Sequence, residues 1–420
     1  MTTPRRVPRS SFLAVVLACL TIESTCRGAD GAAGWPCWRG PTHDGRAAAD
    51  ERVPRTWSAT DNLLWRADVP GRGNGSPIVV GDRICLATCD EASGSQSVLA
   101  YDRRTGARLW ERIVHASGAM RKNERSTGAS TTPAFDGERM FVTFATGGTV
   151  VASALDPDGS ILWQTTVDDY RIHQGYGASP LVYEGFVVVA ADHQDGGVIA
   201  ALDRASGAVA WRRERPKNPN YPSPIVHRLF DRDQLIMTGC DMVIAYDPRT
   251  GATLWESAGS TTECVTTTVT DGRHVYSSGG YPRNHVAAVL ADGSGTVVWE
   301  NEQRDYVPSM LFHDGHLYAI LDAGIAVCWD AASGTEKWKQ RLGGNYSASP
   351  IMVGDTIYAT SEAGETHVFR ADPAGYEELA VNRLGDETFA SAAVADGRLF
   401  LRIAEQDGDG RRERLVCIGR

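Results

Sequence analysis

The residues of this 420-residue chain that could do chemistry are nine cysteines, one acidic turn, a short basic–amide segment and a spaced series of aromatics. Metal and redox thiol chemistry need close spacing, and the cysteines lack it. No Cys-x-x-Cys occurs, which removes a haem attachment site and a zinc ribbon. Cys19 and Cys26 lie in or beside an N-terminal apolar run, leaving Cys37, Cys85, Cys89, Cys240, Cys264, Cys328 and Cys417. Seven is odd, so at least one thiol is free in an oxidising compartment. Asp407-Gly408-Asp409-Gly410 has the opening of a calcium loop but no third acidic position and no terminal Glu, so it reads as an exposed turn. Gly71-Arg72-Gly73-Asn74-Gly75 leads into a strand rather than a helix and does not read as a dinucleotide loop. H-E-x-x-H, P-loop and G-x-S-x-G motifs are missing. No residue is assigned as catalytic, cofactor-binding or metal-ligating.

The candidates for binding are of another kind. Tyr176, Tyr221, Tyr306, Tyr346 and Phe389 recur just before short apolar runs, and Arg39, Lys122, Asn123 and Arg125 sit in polar segments. What these residues can do depends on the elements that carry them.

Those elements repeat. A glycine stands four residues before a tryptophan at Gly106/Trp110, Gly159/Trp163, Gly207/Trp211, Gly251/Trp255, Gly295/Trp299 and Gly334/Trp338. The mean period is about 46 residues, in the range of four-stranded propeller blades. Each unit opens with Ser-Pro or its equivalent (Ser76-Pro77, Thr132-Pro133, Ser179-Pro180, Ser223-Pro224, Ser349-Pro350). Short β-rich runs follow, separated by Gly- and Asp-containing turns, and the unit closes with Asp-x-x-(Thr/Ser)-Gly and a strand ending in Trp. The Asp accepts backbone N–H bonds inside the turn and the Gly supplies a positive φ at its end. No sustained 3.6-residue period appears. The fold predicted is all-β.

Seven units begin near residues 74, 130, 177, 221, 265, 307 and 347; the seventh carries Gly375 but Leu379 in place of Trp. An eighth begins at Phe389 and stops at Arg420 one strand short, while Asn62-Leu63-Leu64-Trp65 is a last strand with no blade before it. The spacing thus predicts an eight-bladed β-propeller over 61–420, closed by the strand around Trp65, because closure hides sheet edges. Trp65, Trp110, Trp163, Trp211, Trp255, Trp299 and Trp338 are expected to be structural, buried between blades. Cys328 and Cys417, standing where other units have Ala100, Ala201 and Ala245, read as small buried fillers.

On a propeller, equivalent positions form a ring about the axis. The five aromatics then either form a stacking collar for a small molecule, sugar or peptide, or pack against loops and plug the channel. Arg39, Lys122, Asn123 and Arg125 read either as ligand contacts or as a solvated loop and an N-terminal strap. Residues 29–60 form that extension, and loss of 29–50 is expected to be mild.

Residues 1–28 read as an export signal: Arg5, Arg6 and Arg9 precede the eleven apolar residues of FLAVVLACLTI, too few to span a bilayer. Cleavage after Gly28 fits, and Val16-Leu17-Ala18-Cys19 also fits a lipoprotein site that would leave Cys19 lipidated. No second run is long enough for a membrane span. Hydrophobic content of 42% and 44 glycines suit a turn-rich β protein, and a net charge of −10 argues against nucleic acid.

The Ala-x-Asp-x-x-(Thr/Ser)-Gly-x-x-x-Trp unit resembles the repeat of pyrroloquinoline quinone (PQQ)-type propellers. That family includes quinoprotein dehydrogenases and the propeller lipoprotein of the outer-membrane β-barrel assembly machinery. Trp35-Pro36-Cys37-Trp38-Arg39-Gly40-Pro41 and Arg121-Lys122-Asn123 are similar to segments of exported planctomycete-type PQQ-binding-like repeat proteins. The resemblance spans residues 35–420 and implies the fold rather than an activity. Two functions follow from it as expectations. One is a non-catalytic, periplasmic or cell-envelope scaffold that binds a protein or peptide partner on a propeller face and needs no cofactor. The other is a PQQ- and calcium-dependent oxidoreductase, although the vicinal Cys-Cys and the long cofactor lid of such alcohol dehydrogenases are missing. A third, carbohydrate binding, would use the aromatic collar.

Overall fold

Short apolar runs cut by glycine and aspartate turns can only form short strands, and thirty-two of them fold among the described residues, with no helix. They pair into eight antiparallel four-stranded sheets, the blades of a propeller. This computed structural model describes residues 34–121, 123–408 and 410–420. The export signal, Cys19, Cys26, Lys122 and Asp409 lie outside the described residues.

The first blade shows the pattern: Ile78–Val80, Arg83–Asp90, Ser95–Asp102 and Arg108–His115 run from the axis outward. Its second and third strands are buried along nearly their whole length, since neighbouring blades cover both faces, which is why they read as unbroken apolar runs. The outermost strand is mostly exposed and carries Arg108, Glu111 and Arg112, charges that guard a free edge.

The eighth blade is completed from the other end of the chain. Ala393–Ala395, Arg398–Asp407 and Gly410–Ile418 receive Leu63–Val69 as their fourth strand, with Trp65 opposite Cys417 and Ala67 opposite Leu415. The eight-bladed closure expected from the sequence is the observed one. Asp407 pairs with Gly410 across an exposed hairpin turn.

Each tryptophan reaches sideways into the next blade. The indole N–H of Trp65 donates to the Arg103 carbonyl at 3.2 Å, that of Trp110 to Pro157 at 3.1 Å, that of Trp163 to Arg204 at 3.1 Å, and that of Trp211 to Pro248 at 3.1 Å. Trp299 and Trp338 bond Ala331 and Asp372 likewise. The ring covers the turn glycine: a Cβ on Gly106, whose φ is 72°, would stand 2.6 Å from the Trp65 ring. Trp255 departs from the series. Its N–H is taken at 2.6 Å by buried Gln234, whose amide donates to Ala291 of the next blade, so the side chain relays the link. Trp211 and Trp255 are buried, whereas Trp65, Trp110, Trp163, Trp299 and Trp338 are half-buried. They sit on outermost strands, where one ring edge meets solvent.

Opposite each Trp in register stands a small residue: Ala100, Ala154, Ala201, Ala245, Ala288, Cys328 and Cys417. A larger side chain there would collide with the indole, which explains the two cysteines. All seven cysteines among the described residues are buried, and burial raises the Cys328 and Cys417 thiols to about 12.

The N-terminal segment closes one end of the axis. Trp35 bridges Val79 of the first blade, Met352 of the seventh binds Gly45 and Ala47, and the Glu51 carboxylate accepts the amides of Asp396 and Gly397 in the eighth. Trp35 and Trp57 belong to the hydrophobic core. Removing 29–50 would uncover part of this core while leaving the closing strand in place. Arg39 is no surface ligand: it is 3% exposed and donates to the Ser309, Met310 and Asp44 carbonyls, and burial lowers its guanidinium to about 10.

The same plug predicts an acid response. Burial, with His43 adding repulsion, lowers the His227 imidazole to about 4. An unfolded histidine protonates near 6.5, so on acidification the unfolded chain takes up this proton first. The contribution is whole above about pH 6.5 and is lost as pH falls toward about 4, roughly 3 kcal/mol in all. In thermal melts at about pH 7.5 and about pH 4.5, His227→Gln should lose less stability than the wild type; equal losses would remove His227 as the cause.

Candidate functional site

The residue before a proline is held extended, and the proline itself donates no hydrogen bond. Five of the eight blades enter at the axis with such a Ser or Thr before proline, the other three with Thr267, Ser309 and Ser391 before Thr268, Met310 and Ala392, and the eight hydroxyls form a ring. The Ser76 amide donates to Thr132 Oγ1, Thr132 to Ser179 Oγ and Ser179 to Ser223 Oγ, each at 3.0 Å. Thr267 donates to Ser309 Oγ and Ser309 to Ser349 Oγ at 2.9 Å, Ser349 to Ser391 Oγ at 2.8 Å, and Ser391 back to Ser76 Oγ at 3.1 Å. Trp38 of the plug donates its indole N–H to Thr267 Oγ1 at 2.8 Å. Sequence reasoning used Ser-Pro only as a unit marker; the signal for this ring was the hydroxyl that opens every unit.

Above the ring, on the face away from the plug, lies a cavity of 430 Å³, within the usual range of small-ligand sites. Its walls come from two kinds of connection: those entering each blade and those joining second to third strands. Trp38 contributes to the floor, and Tyr176, Tyr221, Tyr306 and Phe389 to the wall. The Tyr221 hydroxyl faces His173 Nδ1 at 3.2 Å, Tyr176 donates to the Ala190 carbonyl at 3.0 Å, and Tyr306 donates to Glu263 at 3.3 Å. Asn123 and Arg125 also line the cavity; Asn123 is tied to Gln174 at 2.9 Å, and Arg125 reaches across the mouth to Glu362 at 3.4 Å. Arg304 lies over the Tyr306 ring, 5.5 Å from its centre. Sequence reasoning missed Arg304 and Asp322, because neither recurs at the same position of other units.

Tyr346 does not join this wall. It is 1% exposed and packs with Leu311, Tyr318 and Phe369 between the sixth and seventh blades. The collar is thus four aromatics wide, and the two tyrosines should part company in a melt. Tyr346→Ala leaves a core cavity and should cost about 3–5 kcal/mol, whereas Tyr306→Ala, half-buried at the wall, should cost about 1 kcal/mol. Equal shifts would make the whole collar core packing.

The cavity's donor set bears on the cofactor question. Asp322 is the carboxylate that lines it, and one of its oxygens already accepts the Tyr306 amide at 2.8 Å. Burial and the neighbouring Asp322 push the buried Asp305 carboxyl well above the usual carboxylate range. Among the described residues no three His, Cys, Asp or Glu side chains come together as a cation site. For a quinone held through calcium the cavity lining offers the carboxylate of Asp322 and the amides of Asn74, Asn123 and Gln174.

With this geometry in view, the comparisons are specific. A family model described as outer membrane protein assembly factor BamB matches residues 35–120, 94–340 and 282–399. Outer membrane protein assembly factor BamB of Burkholderia pseudomallei is 25% identical over 363 residues, 82% of this chain and 86% of that protein. A polyvinylalcohol dehydrogenase of Pseudomonas sp is 32% identical over 183 residues, and tetrathionate hydrolase of Acidithiobacillus ferrooxidans 23% over 372. These alignments take in 40% and 72% of this chain but only 26% and 65% of those two proteins. Among solved structures, BamB from Moraxella catarrhalis superposes with a TM-score of 0.59 at 16% identity, covering 84% of this chain and 98% of that one. Quinohemoprotein alcohol dehydrogenase from Comamonas testosteroni gives 0.62 at 14%, covering 91% and 80%, a likeness of fold.

Proposed function

We propose, from the premise that this chain belongs to the PQQ-like β-propeller family described as outer membrane protein assembly factor BamB, that it is an exported envelope scaffold binding a protein or peptide partner on one propeller face. The observation that carries this reading is the asymmetry of the two faces. One is crossed and plugged by residues 35–57, and the other opens into the axial cavity. A partner would meet the open face, where Tyr281 is 54% exposed on the connection between two strands of the fifth blade. The chemistry of the cavity supports binding rather than turnover. Its side chains offer hydroxyls, amides, two arginines and one carboxylate, and among the described residues no three His, Cys, Asp or Glu side chains form a cation cage.

Placing a photo-crosslinking residue at Tyr281 and, separately, at Phe230 on the plugged face tests it in cells. Adducts from position 281 alone support the assignment, and adducts from position 230 alone overturn it. The oxidoreductase alternative draws on the dehydrogenase relatives and has its own test. Purified protein with PQQ and Ca²⁺ should show no saturable rise in melting temperature; a shift of several degrees would restore that reading. The mass of the mature N-terminus would separate cleavage after Gly28 from lipidation at Cys19.

A further inference from the structure

The hydroxyl ring has a property that packing alone does not require. Each of its oxygens already accepts a bond, seven from backbone amides and Thr267 from the Trp38 indole. None of these hydroxyls donates its own proton to a protein acceptor among the described residues. A serine hydroxyl is one donor and two acceptor lobes. With one acceptor lobe used by the fold, each hydroxyl keeps its O–H, and a second lobe, to offer a ligand. Six of the eight, Ser76, Thr132, Ser179, Ser223, Ser349 and Ser391, line the floor of the axial cavity. The floor is a converging set of donors.

Charge at the wall has the matching sign. Arg304 and Arg125, the latter paired with Glu362 across the mouth at 3.4 Å, line the cavity with Asp322. Arg304 has no carboxylate within ion-pair distance among the described residues, and its flat face rests on Tyr306. One acceptor stands apart: Asn74, which also lines the cavity, keeps a buried Oδ1 with no hydrogen-bond partner. A ligand that answers all three features carries an oxyanion at its tip, a donor N–H a little behind it and an apolar or aromatic flank for Tyr221, Tyr306 and Phe389.

We infer that the axial cavity is a carboxylate site that takes the free C-terminus of a polypeptide end-on, with the terminal carboxylate on the hydroxyl ring. Resting on the reading of this face as the binding face, it adds what part of the partner enters. The chain end supplies both the carboxylate and the amide N–H that Asn74 Oδ1 lacks, which a lone small anion does not. The 430 Å³ volume also exceeds what a carboxylate by itself would fill. Charge-assisted hydrogen bonds from Arg304 and the hydroxyls provide the selectivity for an ionised tip.

Calorimetric titration of the whole mature protein tests this with four probes: an N-acetylated pentapeptide ending in a free tyrosine carboxylate, the same peptide amidated, acetate and inorganic phosphate. The free-acid peptide should bind at least about tenfold more tightly than the amide and than acetate or phosphate. Arg304→Gln, a surface change, should weaken the free-acid peptide about tenfold and leave the melting temperature unaltered. Ser179→Ala with Ser223→Ala should weaken it further, and the peptide comparison on wild-type protein holds should that variant misfold. Equal affinity for acid and amide, tighter binding of acetate or phosphate than of the peptide, or no binding of any probe would each overturn the assignment. Crosslinks from position 281 report on the face as a whole, so they can persist when the carboxylate site fails.

Discussion

Removal of residues 29–66 is expected to yield an aggregating, insoluble chain. That deletion takes away most of the strand Leu63–Val69, leaving Gly410–Ile418 without its outer partner and with a row of unpaired backbone groups. Leu415, Val416, Cys417 and Ile418, all fully buried in the intact molecule, then border a missing layer, and Trp65 no longer covers Gly106 of the first blade. The ring of blades is opened at its seam, and both the sheet edge and the inter-blade surface become sticky. Removing 29–50 alone is a different injury. It takes Trp35 and the Arg39 plug from the axis but keeps the closing strand, so a folded protein with a clearly lowered melting temperature is expected. Expression, solubility and thermal melts of the two truncations decide the point. Equal solubility and melting temperature would refute closure by the N-terminal strand.

Trp211→Ala is the point substitution expected to cost most among the inter-blade tryptophans. The side chain is 7% exposed, lies in a core cluster shared by neighbouring blades, and a Cβ on Gly251 would stand 2.6 Å from its ring. Truncating a buried Trp or Phe to Ala typically costs about 3–5 kcal/mol, and here the Pro248 carbonyl also loses its indole donor. A fall in melting temperature of about 4–6 °C follows for a domain of this size. The indole docks into a turn between third and fourth strands, on the plugged face, so folded variant protein should bind any axial ligand as the wild type does. Gly251→Ala should destabilise too, since its φ of 68° and the ring above it both oppose a side chain. A Trp211→Ala protein that melts like the wild type but loses a ligand would make this Trp part of a binding site.

The architecture was legible because it rests on local, repeated chemistry. Asp102, Asp203, Asp247 and Asp330 each accept backbone amides within their own turn, as the spacing implied, and the hydroxyl and amide of Thr105 hold the Asp102 carboxyl below its ordinary range. Tyr346 shows where the same reasoning stopped. Its spacing before the ring hydroxyl matches that of Tyr176 and Tyr306, yet it packs in the seam between blades while Tyr306, half-buried, lines the axial cavity. Equal spacing places a backbone position; which way the ring turns depends on the neighbouring blade.

Arg39 and the serine ring make the same distinction. Arg39 reads either as a ligand contact or as part of an N-terminal strap, because nothing local says that a segment 270 residues away will close over it with the Ser309 and Met310 carbonyls. Ser76 looks like an unremarkable pre-proline residue and Ser391 like an ordinary small one, and their amide–hydroxyl bond spans 315 positions. By itself the sequence determined the blade, the number of blades and the strand that closes them, because turns, strand periodicity and edge pairing are properties of the repeat. Only the tertiary structure decided which face is plugged, which aromatics reach the axis and which hydroxyls converge there. Those outcomes come from bringing distant backbone groups together around one axis, where burial and hydrogen bonding depend on all eight blades at once.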